Sequence, residues 1–325
     1  IRDALTARSI LIDPHSNYMK YWDLLVALAL VFTAFVTPSE VSFVSENSGK
    51  VDLLYVANRV VDAIFVKDMV MQFFLKVRVT TRQGSMWIKD KRQIAWRYFQ
   101  GWFFIDLLSV LPLESFGSSS DGRALKILRV FRLIKMARVL RASRMVQRWE
   151  NHNSLPFSHI SLLRFAVLLL CTSHWLACVW GFAGLDLAEY MECRDGEPVW
   201  DPELLDLMTE GYVEPGRATG VSWVTRLYAP GSRGSKVSPD NPCSASHVYS
   251  VSLHFAVMSL TSIGYGDVVP VRSGEYMLCT WLMLVGAVVW AYIIGSACST
   301  VSNMDPPKRS FEQRMDALNS MAKEQ

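Results

Sequence analysis

The sequence predicts an all-α membrane protein with six transmembrane helices. Four form one unit, and the last two flank a re-entrant helix and loop. Three observations predict this. The chain is 51% hydrophobic with a mean hydropathy of +0.19, high for a soluble protein. Basic residues recur at every third position from Arg123 to Arg144. The stretch Ser262 to Asp267 follows an apolar helix candidate, Val248 to Leu260, and precedes an apolar run of membrane length.

Composition narrows the function classes. A net charge of +3 suggests no nucleic-acid partner, and the placement of the basic residues matters more than their sum. The first residue is Ile, with no signal peptide, so the chain reads as a piece of a longer protein. No Gly-x-x-x-x-Gly-Lys phosphate loop or nucleophile motif points to an enzyme, and no Cys-x-x-Cys or His-x-x-x-His spacing to a structural metal. Cys171, Cys178, Cys279 and Cys298 lie in apolar runs and are expected to be buried thiols. Cys193 and Cys243 lie in a polar loop and are expected to pair as a disulfide on the oxidising outer face.

The first apolar run is Tyr21 to Val36, ended by Pro38. The second, Val51 to Leu75, carries Asn58, Arg59, Asp62, Lys67 and Asp68. Charges inside a membrane helix usually face a bundle interior or a water cavity. A basic connector follows, with Lys76, Arg78, Arg82, Lys89, Lys91, Arg92 and Arg97. Its charge places it in the cytoplasm, so the first helix runs outward and the second inward. The third helix is Trp102 to Leu113, bearing Asp106.

The fourth helix carries Arg123, Lys126, Arg129, Arg132, Lys135, Arg138, Arg141 and Arg144. A basic amphipathic surface helix is the bland alternative. In an α-helix, however, a charge at every third residue drifts by about 60° per step and leaves no clean apolar face. At three residues per turn the same charges form one row. Such a row can slide through one polar crevice, which is what a voltage sensor does. Phe65 and Asp68 share a face of the second helix, with Asp62 one turn further out and Asp106 on the third helix. These acids are counter-charges for the row, either static or passed in turn.

A connector of about ten residues, Gln147 to Pro156, leads to the fifth helix, His159 to Phe182. Residues 184–246 form a long polar extracellular loop, acidic in its first half, which reads either as a solvated loop or as a turret whose field gathers cations near a pore mouth. The sixth helix runs from Tyr276 to about Val301, with Gly286 and Gly295 as candidate hinges or close-packing positions. Between fifth and sixth helices, Gly264 and Gly266 allow backbone conformations closed to other residues. Successive carbonyls of Ser262, Ile263, Gly264 and Tyr265 can then face one axis. Four copies of the chain would stack rings of oxygen around a dehydrated K+ ion, with the Ser262 hydroxyl adding a ring.

The segment Ser262-Ile263-Gly264-Tyr265-Gly266-Asp267 resembles the selectivity filter of potassium channels, Thr-Val-Gly-Tyr-Gly-Asp, differing at Ser262 and Ile263. Phe65-x-x-Asp68 with Asp106 resembles the charge-transfer centre of voltage-sensor domains. The short connector, Ser173-His174-Trp175-Leu176-Ala177-Cys178 and the tail from Phe311 to Asn319 resemble the ether-à-go-go, plant inward-rectifier and cyclic nucleotide-gated channel superfamily. The resemblance implies a voltage-gated potassium channel subunit, homotetrameric and without domain swapping, in the plasma membrane. It assigns 1–20 to a cytoplasmic lead-in, 21–148 to a voltage sensor, 149–304 to a pore with a filter at 262–267, and 305–325 to the start of a cytoplasmic C-linker. No cofactor is implied other than K+ as the permeant ion; a cyclic nucleotide would act only through a domain outside these residues. The rival reading is a weakly selective cation channel, hyperpolarisation-activated or cyclic nucleotide-gated, against which Asp267 argues.

Overall fold

The structure is a computed structural model describing residues 11–14, 16–43, 53–81, 84–88, 90–111, 131–142, 157–186, 191–194, 197–202, 221–228, 241–302, 310–311, 314–316, 318 and 321. Two compact units divide the chain, Ile1–His152 and Asn153–Gln325. Three helices are long and apolar enough to cross a membrane among the described residues, at Asn17–Phe43, Ser161–Leu185 and Ser273–Ser302.

The first unit begins with α1 (Asn17–Phe43) and α2 (Leu53–Gln72). A hairpin follows, β1 (Val77–Thr81) with β2 (Gly84–Ile88), paired from Val77 opposite Ile88 to Thr81 opposite Gly84. Then come α3 (Lys91–Gln100), α4 (Phe103–Val110) and a 3₁₀-helix, Arg132–Arg141. The 3₁₀-helix packs against both α1 and α4. Met19, Trp22, Val26, Leu30, Phe65, Met71 and Leu75 form the core beneath it.

Two sequence expectations change here. Pro38 does not end the first helix but lies inside α1, which continues to Phe43. A membrane helix tolerates the missing N–H where side chains and local adjustment satisfy the backbone. The basic connector is not irregular either. The Asp90 carboxylate accepts from the Arg92 N–H at 3.1 Å and starts α3, and Gly101 separates α3 from α4.

The second unit holds α5 (Phe157–Asp186), the hairpin β3 (Met191–Arg194) and β4 (Glu197–Trp200), and α6 (Trp223–Tyr228). It ends with α7 (Ala245–Leu260) and α8 (Ser273–Ser302), both packed on α5. Trp180 stacks on Phe255 at 4.2 Å and on Trp223 at 5.6 Å, so three aromatic rings join α5, α7 and α6. The Trp223 indole N–H donates to the Trp180 carbonyl at 3.1 Å. A side chain at Gly184 would overlap the Trp223 indole, so only glycine fits there. His174, buried on α5, lies 2.9 Å from the Tyr249 hydroxyl on α7. Cys178 and Cys279 are buried thiols, Cys171 is half-buried and Cys298 is exposed on α8. An apolar span can face lipid as readily as protein, so hydropathy alone did not separate these four.

Candidate functional site

The first site is built on the long 3₁₀-helix. Ten residues is an unusual length for this geometry, whose runs rarely exceed three or four. Residues three apart eclipse in it, so positions 132, 135, 138 and 141 fall in one row. That row meets α2 and α4.

Phe65 is fully buried on α2. The guanidinium carbons of Arg138 and Arg141 lie 4.8 and 5.1 Å from its ring centroid. Each contact is worth up to about 2 kcal/mol when desolvated. Arg138 Nη2 is 2.7 Å from Asp62 Oδ1, and Lys135 Nζ is 3.8 Å from Asp62 Oδ2. Arg138 also donates through Nε and Nη2 to the Ser109 carbonyl, at 2.9 and 2.6 Å. Arg141 pairs instead with the other two acids. Its Nε is 2.7 Å from Asp106 Oδ1, and its Nη1 is 3.9 Å from Asp68 Oδ2. Lys135 and Arg138 thus share Asp62, and the next cation, Arg141, engages Asp68 and Asp106, with Arg138 and Arg141 against one aromatic ring.

The acids are themselves positioned. Asp68 accepts from the Trp22 indole N–H at 3.2 Å, and Asp106 from the Tyr98 hydroxyl at 2.6 Å. Trp22 and Tyr98 are partners that sequence reasoning did not single out. Arg138, Arg141, Asp68 and Asp106 are all buried. Taking charges out of water carries a large penalty unless each is paired, as each of these is. Arg141 hydrogen-bonds through Nε and Nη2, while its buried Nη1 has only the 3.9 Å approach to Asp68 and no hydrogen bond among the described residues. Arg123, Lys126, Arg129 and Arg144, and the side chain of Arg132, lie outside the described residues, as does the connector Gln147 to Pro156.

The second site is the loop after α7. Ser262, Gly264 and Gly266 have φ of 62°, 61° and 76°, so every second residue is left-handed. For Ser262 that conformation costs about 1–3 kcal/mol, and the surroundings must hold it. They do so at the helix end: the Ile263 and Gly264 N–H groups both donate to the Met258 carbonyl, at 2.8 and 3.3 Å. Ile263 and Tyr265 are exposed on the single chain.

Asp267 at the end of the loop lies 3.1 Å from His254 Nε2, through its Oδ2. The His254 ring also stacks parallel to the Tyr265 ring, with centroids 6.0 Å apart. Below the loop, a Cβ on Gly286 would come within 3.4 Å of Leu260, so Gly286 sits where α8 approaches the end of α7. Gly295 has open space around it, and α8 is unbroken at both glycines.

Two further features tie down the chain before α7 and at the start of α8. Cys193 and Cys243 form a disulfide joining β3 to the residues before α7, with Cα atoms 5.6 Å apart. Glu275, fully buried at the start of α8, gathers three backbone N–H groups. Its Oε1 accepts from Trp223 at 3.1 Å, and its Oε2 from Val271 at 2.8 Å and Arg272 at 3.4 Å. No sequence signal marked Glu275, because its partner Trp223 lies 52 residues away.

Paired cations on one unit, a loop of alternating left-handed backbone on the other, and three helices of membrane length among the described residues fit an ion-transporting membrane protein. The family model described as ion transport protein matches residues 19–306, and the chain belongs to that family. Its members are transport proteins rather than enzymes. The chain is 27% identical over 313 residues to the voltage-gated inwardly rectifying potassium channel KCNH7 of Mus musculus, covering 93% of this chain and 23% of the relative. It is 27% identical over 303 residues to the voltage-gated inwardly rectifying potassium channel KCNH6 of Gallus gallus, covering 89% and 22%. It is 23% identical over 314 residues to the potassium voltage-gated channel unc-103 of Caenorhabditis elegans, covering 94% and 34%. The chain thus spans about a quarter of the length of the first two relatives.

Proposed function

We propose that this chain is the sensor and pore portion of a voltage-gated, potassium-selective channel subunit in the plasma membrane. The observation that carries this reading is the left-handed backbone at Ser262, Gly264 and Gly266. Alternation of this kind turns successive carbonyls to one side, where K+ exchanges water for protein oxygen. K+ is held by Ser262, Ile263, Gly264 and Tyr265. One chain cannot enclose an ion, so the working unit is a homotetramer.

Six spans serve this function: α1, α2, the segment with α4, the basic helix, α5 and α8, with α7 re-entrant. Residues 21–148 sense voltage and 149–304 conduct. The basic row moves past Phe65, exchanging partners among Asp62, Asp68 and Asp106; the names of the relatives support voltage gating itself. The short connector supports a sensor packed beside the pore of its own subunit. A cyclic nucleotide would act only through a domain outside these residues.

The test is the reversal potential of the full-length protein, with potassium inside and sodium outside. A value near the potassium equilibrium potential is expected. A value near zero would replace this reading with a weakly selective cation channel.

A further inference from the structure

We propose that α3 is a lipid-facing interfacial helix that binds the anionic headgroups of the cytoplasmic leaflet. One face of α3 is committed to its own unit, with Ile94 and Tyr98 buried one turn apart. Trp96 and Phe99 are exposed, at 62% and 41%, and their rings stack 6.5 Å apart. Large exposed aromatic rings on one short helix mark a surface that something apolar covers.

The cover is identified by what continues from that face. Phe99 stacks on Phe103 at 4.8 Å and meets Phe104 edge-on at 5.2 Å. Phe104 is itself exposed, and so is Leu108 one turn further along α4. The apolar surface therefore runs without a break from α3 onto α4. The inference rests on the membrane placement of α4 given above: if acyl chains cover Phe104 and Leu108, the same leaflet reaches Phe99 and Trp96. Tryptophan is suited to that depth, where one end of its ring is apolar and the other wet.

Charge decides which lipid. Lys91, Arg92 and Arg97 are exposed on the same helix and form no ion pair among the described residues. Helical spacing sets Arg92 between Trp96 and Phe99 in azimuth, with Lys91 and Arg97 to either side. Lys91 and Arg97 flank the aromatic face, and Arg92 rises within it at the N-terminal end of the helix, where a long basic side chain reaches up to the headgroups of an anionic membrane surface.

The experiment uses the full-length channel in vesicles containing a photoactivatable phosphatidylserine or, separately, a photoactivatable phosphatidylcholine, with labelled peptides mapped by mass spectrometry. Labelling of α3 is expected from both, several-fold stronger with phosphatidylserine. Replacing Lys91, Arg92 and Arg97 together with Gln should bring the phosphatidylserine signal down to that of phosphatidylcholine. Equal labelling of the unaltered channel by the two lipids would overturn the anionic preference. An unlabelled α3 beside labelled α1 and α8 would overturn the whole proposal, showing that a protein surface covers the helix. Absence of label on α1 and α8 as well would instead remove the membrane reading beneath it.

Discussion

Arg141 and Asp106 meet at 2.7 Å, from Nε to Oδ1, with both side chains buried. A hydrogen bond to a charged group contributes about 1.5–3 kcal/mol. Asp106→Asn should therefore disfavour the position of Arg141 seen here and, on the proposed sensing function, shift the half-activation voltage on the order of tens of millivolts. Asp106→Glu should shift it less. Coincident conductance–voltage curves for all three proteins would count against a sensing role for the pair.

The row itself should carry the gating charge. Each unit charge moved across the field is worth about 2.3 kcal/mol per 100 mV. Single replacement of Arg129, Arg132, Lys135 or Arg138 with Gln is expected to make the curve shallower. Arg141 joins this set because it already stands at Phe65. Unaltered slopes in all five variants would contradict the assignment.

His254 Nε2 and Asp267 Oδ2 meet at 3.1 Å beside the loop proposed as the filter. His254→Phe removes that contact and should speed the decay of current during a sustained depolarisation. Asp267→Asn should act in the same direction. Unchanged decay in both variants would argue that the pair does not hold the loop.

Glu275→Gln keeps the size of the side chain but sets an amide N–H₂ against backbone donors. Two of the three acceptor contacts fall on Oε2, so at least one donor is left unsatisfied. The expected loss is about 1–3 kcal/mol. Heating the detergent-purified protein and following its monodisperse fraction reads this directly: a lower midpoint is expected, and an unchanged one would argue that Glu275 is dispensable.

Cys193 and Cys243 should resist alkylation until reduced. Intact-mass analysis that finds both thiols labelled without a reductant would exclude the bridge in the native protein.

Much of this was legible from sequence because it is periodic. The charge row repeats every three residues, and a row at that spacing makes geometric sense at three residues per turn. The two filter glycines mark left-handed backbone, although Ser262 shares that conformation without any residue-level sign of it. Other features were hidden for physical reasons. In α3, Ile94 and Tyr98 do lie four apart after the Asp90 cap, but the surrounding cations read as a polar connector. Pro38 reads as a terminator, since hydropathy does not report how a neighbouring helix supports the backbone. The reach from Glu275 to Trp223 is set wholly by tertiary folding.

The 3₁₀ segment has a mechanical consequence. Its residues rise about 2.0 Å each, so neighbouring cations are spaced about 6 Å apart along a straight line. In an α-helix the same interval is about 4.5 Å, and the next cation arrives about 60° off line. A sensor in the second geometry must turn as it travels, like a screw. On the proposed sensing function, Arg132–Arg141 in the first geometry would work as a toothed rack: each advance of about 6 Å would present the next cation to Phe65 from the same direction, without rotation of the segment.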